Sequence, residues 1–165
     1  MTGITPEGFE IDRDFAAPPS AVFAAWTTAE HFARWFGGKD VQVPADRLDY
    51  EPATRRAWSA TMVLPDGNTI DWTGEFLEVV PDKRLVFTMT DQPGEPGRLA
   101  ITVEFSPTAS GTHMHMTQEA PDFTPEQRKA TIVGWQTFLD VLQQITEAAS
   151  ALGGAFCGGP IARSR

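Results

Sequence analysis

His113 and His115 stand two residues apart, so on a strand their imidazoles share one face. Two imidazoles so placed begin a metal site. Met114 and Met116, however, claim the inward face of that strand and turn the histidines to solvent. No third ligand is evident nearby, so no metal is expected. Arg13 falls in the alternation Phe9, Ile11, Arg13, Phe15, among hydrophobes on an inward face. Its planar fork matches a carboxylate, either of the protein (Glu119, Glu75 or another) or of an anionic ligand. A buried charge needs a partner, which favours the structural ion pair. Asp71, Asp91 and Glu119 would serve as general acids or bases if buried beside a pocket, but no pairing specifies it. There is no serine-nucleophile motif, phosphate loop or dinucleotide fingerprint, and no cofactor is implied. Cys157, in Gly-Ala-Phe-Cys-Gly-Gly, has no activating base and reads as an incidental exposed thiol. His31 has no acid partner and is expected at the surface.

The larger group is apolar. Trp58, Met62, Trp72, Phe87, Met89, Met114, Met116, Trp135 and Leu139 all fall on inward faces of their elements. Large aromatics with flexible methionines suit an adaptable hydrophobic pocket. The competing reading is that they fill the core.

The elements that must position these residues follow from periodicity. Phe9 to Phe15 alternate as a half-buried strand, stopped by Ala16-Ala17-Pro18-Pro19. Val22, Phe23 and Trp26 then share a helical face. A second short helix, capped by Thr27 or Thr28, carries Phe32, Trp35 and Phe36 and ends at Gly37-Gly38. Weak strands over Val41–Val43 and Arg47–Tyr50 precede strong ones around Trp58–Leu64, Ile70–Phe76, Leu85–Met89, Leu99–Phe105 and Met114–Gln118. Pro65-Asp66-Gly67-Asn68 and Pro81-Asp82-Lys83 are turns, and Asp91 to Gly97 is a loop. Gly74 inside a strand predicts a bulge or a close backbone approach. Thr124-Pro125-Glu126-Gln127 opens a final helix with a capping box. Ile132, Trp135, Phe138, Leu139, Leu142 and Ile145 recur at three and four. That helix is expected to reach Leu152, about 28 residues and roughly 40 Å, with Gly153-Gly154 ending it. Hairpin connections imply an antiparallel sheet, and the one long amphipathic helix must bury its stripe against it. The fold class is therefore α+β: a curved sheet gripping a long helix, with a gap wide enough for a cavity. Residues 1–152 form one domain, and 153–165 a flexible Gly-rich tail.

Composition sets the outer limits. The chain has 165 residues, a net charge of −9 and one cysteine. That is one domain with an adequate core, without an internal disulfide. The acidic balance argues against nucleic acid or an anionic membrane as partner. No apolar run approaches the ~18 residues of a membrane span, and no secretory leader is visible. A cytoplasmic protein is expected. A homodimer stays open, through Trp35, Phe36 or the tail.

Several stretches resemble one family. They are Arg13-Asp14-Phe15-Ala16-Ala17-Pro18, Val22-Phe23-Ala24-Ala25-Trp26-Thr27 and Glu30-His31-Phe32-Ala33-Arg34-Trp35-Phe36-Gly37. Asp66-Gly67, Gly74-Glu75-Phe76-Leu77-Glu78-Val79, Pro81, Arg84-Leu85-Val86-Phe87-Thr88, Gly111-Thr112 and Gly134-Trp135 follow in order. Over about residues 9 to 147 the chain resembles single-domain bacterial relatives of the activator of the heat-shock-protein-90 ATPase. These belong to the START-like (SRPBCC) superfamily, with the helix-grip fold. Where that family carries a Gly-Gly pair before the strand of Trp58, this chain has Arg55-Arg56, which puts the geometry of that cavity wall in question. The resemblance implies a domain that binds a small hydrophobic molecule between sheet and helix, without covalent chemistry. The nine apolar residues above would supply burial, and Arg13 or Arg56 a polar anchor. It leaves two alternatives. One is an enzyme like the superfamily's polyketide cyclases and aromatases, which needs polar groups such as Arg13, Gln118 or Asp71 converging in the cavity. The other is a chaperone-interaction module, a role that belongs to longer relatives with an additional domain.

Overall fold

The computed structural model describes residues 2–91 and 99–157. A short strand β1 (Gly3–Ile4) precedes β2 (Gly8–Phe15), and helices α1 (Pro19–Thr27) and α2 (Ala29–Trp35) follow. Then come β3 (Leu48–Asp49), β4 (Ala57–Val63), β5 (Thr69–Val80), β6 (Arg84–Met89), β7 (Leu99–Thr108) and β8 (Gly111–Glu119), and last α3 (Pro125–Cys157). The strands form one antiparallel sheet in the order β1-β2-β8-β7-β6-β5-β4-β3. The chain thus meanders from β3 to β8 and ends beside β2. The fold is the α+β sheet-and-long-helix arrangement that the periodicities predict, and the helix-grip fold that the resemblance implies. Strand β1 has no signal in the sequence, and the stretch around Val41–Val43 contributes only a bridge between Gln42 and Val63.

The bend in the sheet has a local cause. β5 pairs with β4 up to Glu75 and with β6 from Phe76 onward, with a register shift between Phe76 and Glu78. Gly74 sits where the partner changes. The Trp58 indole crosses over it and donates to the Thr88 carbonyl at 3.0 Å. A β-carbon on Gly74 would overlap that carbonyl oxygen and press on Trp58 Nε1. The glycine is therefore a close-approach residue, and the bulge lies two residues further on.

Trp26 of α1, Phe32 and Trp35 of α2, Phe36 just beyond it, and Phe9, Ile11, Phe76, Phe87 and Val103 of the sheet are buried in one core. Phe32 stacks on Tyr50 with centroids 4.0 Å apart, and Tyr50 donates to the Trp26 carbonyl at 2.6 Å. Burial pushes the Tyr50 hydroxyl pKa well above its ordinary value. Because Trp35 and Phe36 are at most 1% exposed, neither offers the self-contact surface the sequence left open.

The capping box is formed at the start of α3. Gln127 N–H donates to Thr124 Oγ1 at 3.1 Å, and Thr124 N–H to Gln127 Oε1 at 2.9 Å. Leu139 and Leu142 are fully buried, each adding roughly 1.5–3 kcal/mol of transfer free energy. The helix does not stop at Leu152. It continues through Gly153 and Gly154 to Cys157. A glycine costs a helix only about 1 kcal/mol relative to alanine, too little to break one already propagating. The expected loop beyond Asp91 and the tail beyond Cys157 lie outside the described residues.

Candidate functional site

Between the sheet and α3 lies a cavity of about 450 Å³. Trp72 of β5, Met89 at the end of β6, Leu99 at the start of β7 and Gln118 of β8 contribute the sheet side. Thr131, Gly134, Trp135 and Phe138, spaced at three and four along α3, contribute the helix side. Thr90, Asp91, Asp122 and Phe123 complete it from connecting segments.

Its walls are held by ring packing and one polar contact. Trp135 stacks on Trp26 with centroids 6.1 Å apart, and donates its Nε1–H to Gln118 Oε1 at 2.8 Å. Phe138 meets Trp135 edge-on at 5.5 Å and Phe36 at 5.8 Å. Phe36 in turn meets Trp72 at 6.1 Å. The Trp72 indole nitrogen is buried without a hydrogen-bond partner among the described residues. Strands β5 and β6 are tied beside the cavity by reciprocal backbone bonds between Thr73 and Thr90, at 3.0 and 2.9 Å.

Of the ten residues the sequence nominated, three line this cavity: Trp72, Met89 and Trp135. Trp58, Met62, Phe87, Met114, Met116 and Leu139 are at most 3% exposed and belong to the packed core. Arg13 is elsewhere. It pairs with Asp140 of α3 at 2.9 Å and donates to Gln136 and Gln143 at 2.6 and 3.1 Å. The structural ion pair is formed, and its carboxylate is Asp140, neither of the two acids the sequence singled out. The second candidate anchor, Arg56, pairs with Glu51 at 3.3 Å on the surface. Arg55 adopts the left-handed region at φ 69° and donates its N–H to the Phe76 carbonyl at 2.6 Å. The backbone turn that a glycine would make freely is kept, and neither arginine lines the cavity.

Sequence reasoning missed part of the cavity lining. Phe123 and Asp122 sit in a connection with no period. Gly134 carried a signal that was available: a glycine inside a long amphipathic helix is a cost that needs a reason. Asp71 is exposed and accepts from Thr61 Oγ1 at 2.8 Å, and Glu119 accepts from the Ala100 N–H at 3.2 Å. Neither reaches the cavity lining.

The two histidines face outward, and Asp12 from the neighbouring strand joins them. Its Oδ1 lies 3.0 Å from His113 Nε2 and 2.8 Å from His115 Nδ1, while Asp14 Oδ1 lies 2.6 Å from His113 Nδ1. The side chains close on one another through hydrogen bonds, and among the described residues no group of three or more is arranged to hold a metal ion. His31, expected at the surface, is half-buried, with Nδ1 enclosed and unpartnered among the described residues.

Among curated proteins nothing matches this chain. Solved structures do. A protein from Chromobacterium violaceum is 25% identical with a TM-score of 0.75, over 87% of this chain and 99% of that one. An AHSA1-like protein from Aeromonas hydrophila is 28% identical with a TM-score of 0.70, over 85% and 92%. A protein from Staphylococcus epidermidis, 19% identical with a TM-score of 0.76 over 90% and 94%, shares the fold. The profile of the family described as "Activator of Hsp90 ATPase homolog 1-like protein" matches residues 16–147. The chain therefore belongs to the Activator of Hsp90 ATPase homolog 1-like family, with the helix-grip fold of the START-like superfamily.

Proposed function

We propose that this protein binds a small, largely apolar molecule in the cavity between the sheet and α3, without covalent chemistry. The observation that carries the reading is Gly134. It sits in the interior of α3 and lines the cavity, and a β-carbon built on it meets nothing within 4 Å. No close packing requires the missing side chain, yet glycine there costs the helix about 1 kcal/mol. Keeping the cavity floor clear for a ligand gives it a reason. The volume falls within the ~300–1,000 Å³ of small-molecule sites, and apolar walls with a few polar groups match their usual lining.

Turnover of the cyclase kind needs polar groups converging inside. Of Arg13, Gln118 and Asp71, only Gln118 lines the cavity, and its Oε1 is engaged by Trp135. The binding reading is tested by native mass spectrometry of the freshly purified protein with organic extraction. Titration of tryptophan fluorescence by a panel of apolar compounds follows. A co-purifying molecule or saturable quenching near one equivalent is expected. An empty protein that no member of the panel quenches overturns the reading.

A further inference from the structure

The free polar groups in the cavity wall are donors, and that bears on what the ligand carries. Trp135 fixes the sense of the Gln118 amide. An indole N–H can only donate, so it holds the amide oxygen at 2.8 Å and leaves the NH2 end of Gln118 as the free one. That NH2 meets no acceptor among the described residues and stays accessible. On β5, Trp72 Nε1 is a second N–H without an acceptor among the described residues, and it is buried. A buried donor left unmade is a standing cost to the fold, which an acceptor brought into the cavity would relieve. Thr131 offers no third donor, because its hydroxyl donates to the Gln127 carbonyl at 2.8 Å. The carboxylates on the lining, Asp91 and Asp122, are exposed and keep their hydration.

We infer that the ligand is a carbonyl compound: an apolar body among the rings, whose carbonyl oxygen accepts from the Gln118 NH2, with the Trp72 indole N–H as the second donor. A carbonyl oxygen has two lone pairs and brings no donor of its own, so it matches a wall whose free polar groups are N–H donors. The inference rests on the binding reading above. It replaces the arginine anchor expected from the sequence with an amide and an indole, and gives Gln118 a binding role instead of a catalytic one.

The test compares 1-tetralone with tetralin, the same fused-ring skeleton with a C=O in one and a CH2 in the other. Binding to the full chain is followed by calorimetry near pH 8, where a glutamate is ionised. Gln118→Glu keeps an oxygen for Trp135 and replaces the NH2 with a second oxygen. Trp72→Phe keeps a ring and removes the N–H. The readout is the tetralone-to-tetralin affinity ratio, in which the probes' different hydrophobicity and any change of cavity shape largely cancel. Trp72→Phe is expected to lower that ratio about two- to tenfold, the worth of one neutral hydrogen bond. Gln118→Glu is expected to lower it further, since it sets an ionised oxygen against the carbonyl. The carbonyl stretch of bound tetralone is expected below its value in hydrocarbon solvent, and to move back toward that value in both variants. A ratio and a stretch that neither variant changes overturn the inference, while tetralin binding leaves the cavity reading intact. Binding of neither probe overturns both.

Discussion

Gly134 lets the ligand cavity be tested through stability as well as binding. Alanine there gains roughly 0.8–1 kcal/mol of helix propensity. Its methyl group enters open space, since nothing lies within 4 Å of the built β-carbon. For a domain of this size each kcal/mol moves the midpoint by about 2–4 °C. Gly134→Ala should therefore melt about 2–4 °C higher than the parent and shift its urea midpoint upward. Gly134→Leu should keep most of that gain while its side chain takes up space in the cavity that Gly134 lines. Affinity for any cavity ligand should then fall by at least an order of magnitude. The assay is paired: thermal and urea unfolding for stability, tryptophan quenching for binding. An alanine variant less stable than the parent would show that the glycine serves packing. A leucine variant that binds as well as the parent would remove the cavity from the function.

Other perturbations test the supports around the site. Gly74→Ala forces the Thr88 carbonyl and the Trp58 indole apart, and should cost on the order of 3 kcal/mol in urea unfolding; a loss below about 1 would refute the close-approach argument. Arg55→Gly should raise stability by about 0.5–1 kcal/mol, the left-handed strain of roughly 1–2 less glycine's extra unfolded-state entropy. An unchanged or lower midpoint would refute it. Tyr50 is the chain's single tyrosine, so tyrosinate absorbance reports it alone. Its pKa is raised by burial in the folded state. The stabilising contribution is therefore complete below the unfolded value near pH 10, and is lost as pH rises from there through the folded value. Tyr50→Phe should flatten the alkaline fall in stability, and an equal slope in both proteins would refute the assignment.

The architecture was legible because period-two and period-3.6 patterns report which residues leave water, and the capping box and turn glycines report where elements begin and end. β1 escaped because two residues carry no period. The helix end was misread because two glycines lower propensity without blocking the backbone hydrogen bonds of a helix already running.

The site was harder to read, for a physical reason that the nominated residues make plain. Met89 and Phe87 share one face of one strand, and Trp135 and Leu139 one face of one helix. In each pair the first lines the cavity and the second fills the core. Periodicity states that a side chain points inward but not what stands opposite it. Phe87 packs against Trp26 of α1 and against its sheet neighbours Trp58 and Phe76. Opposite the ends of β6 and β7 the helix presents Gly134 and Thr131 instead of large side chains, and the space stays open. What marks a cavity in a sequence is therefore less the large residues around it than the small residue where a large one would pack. Gly134, lying in the inward stripe of α3 one residue before Trp135, is that mark here, and its replacement should move stability and binding in opposite directions.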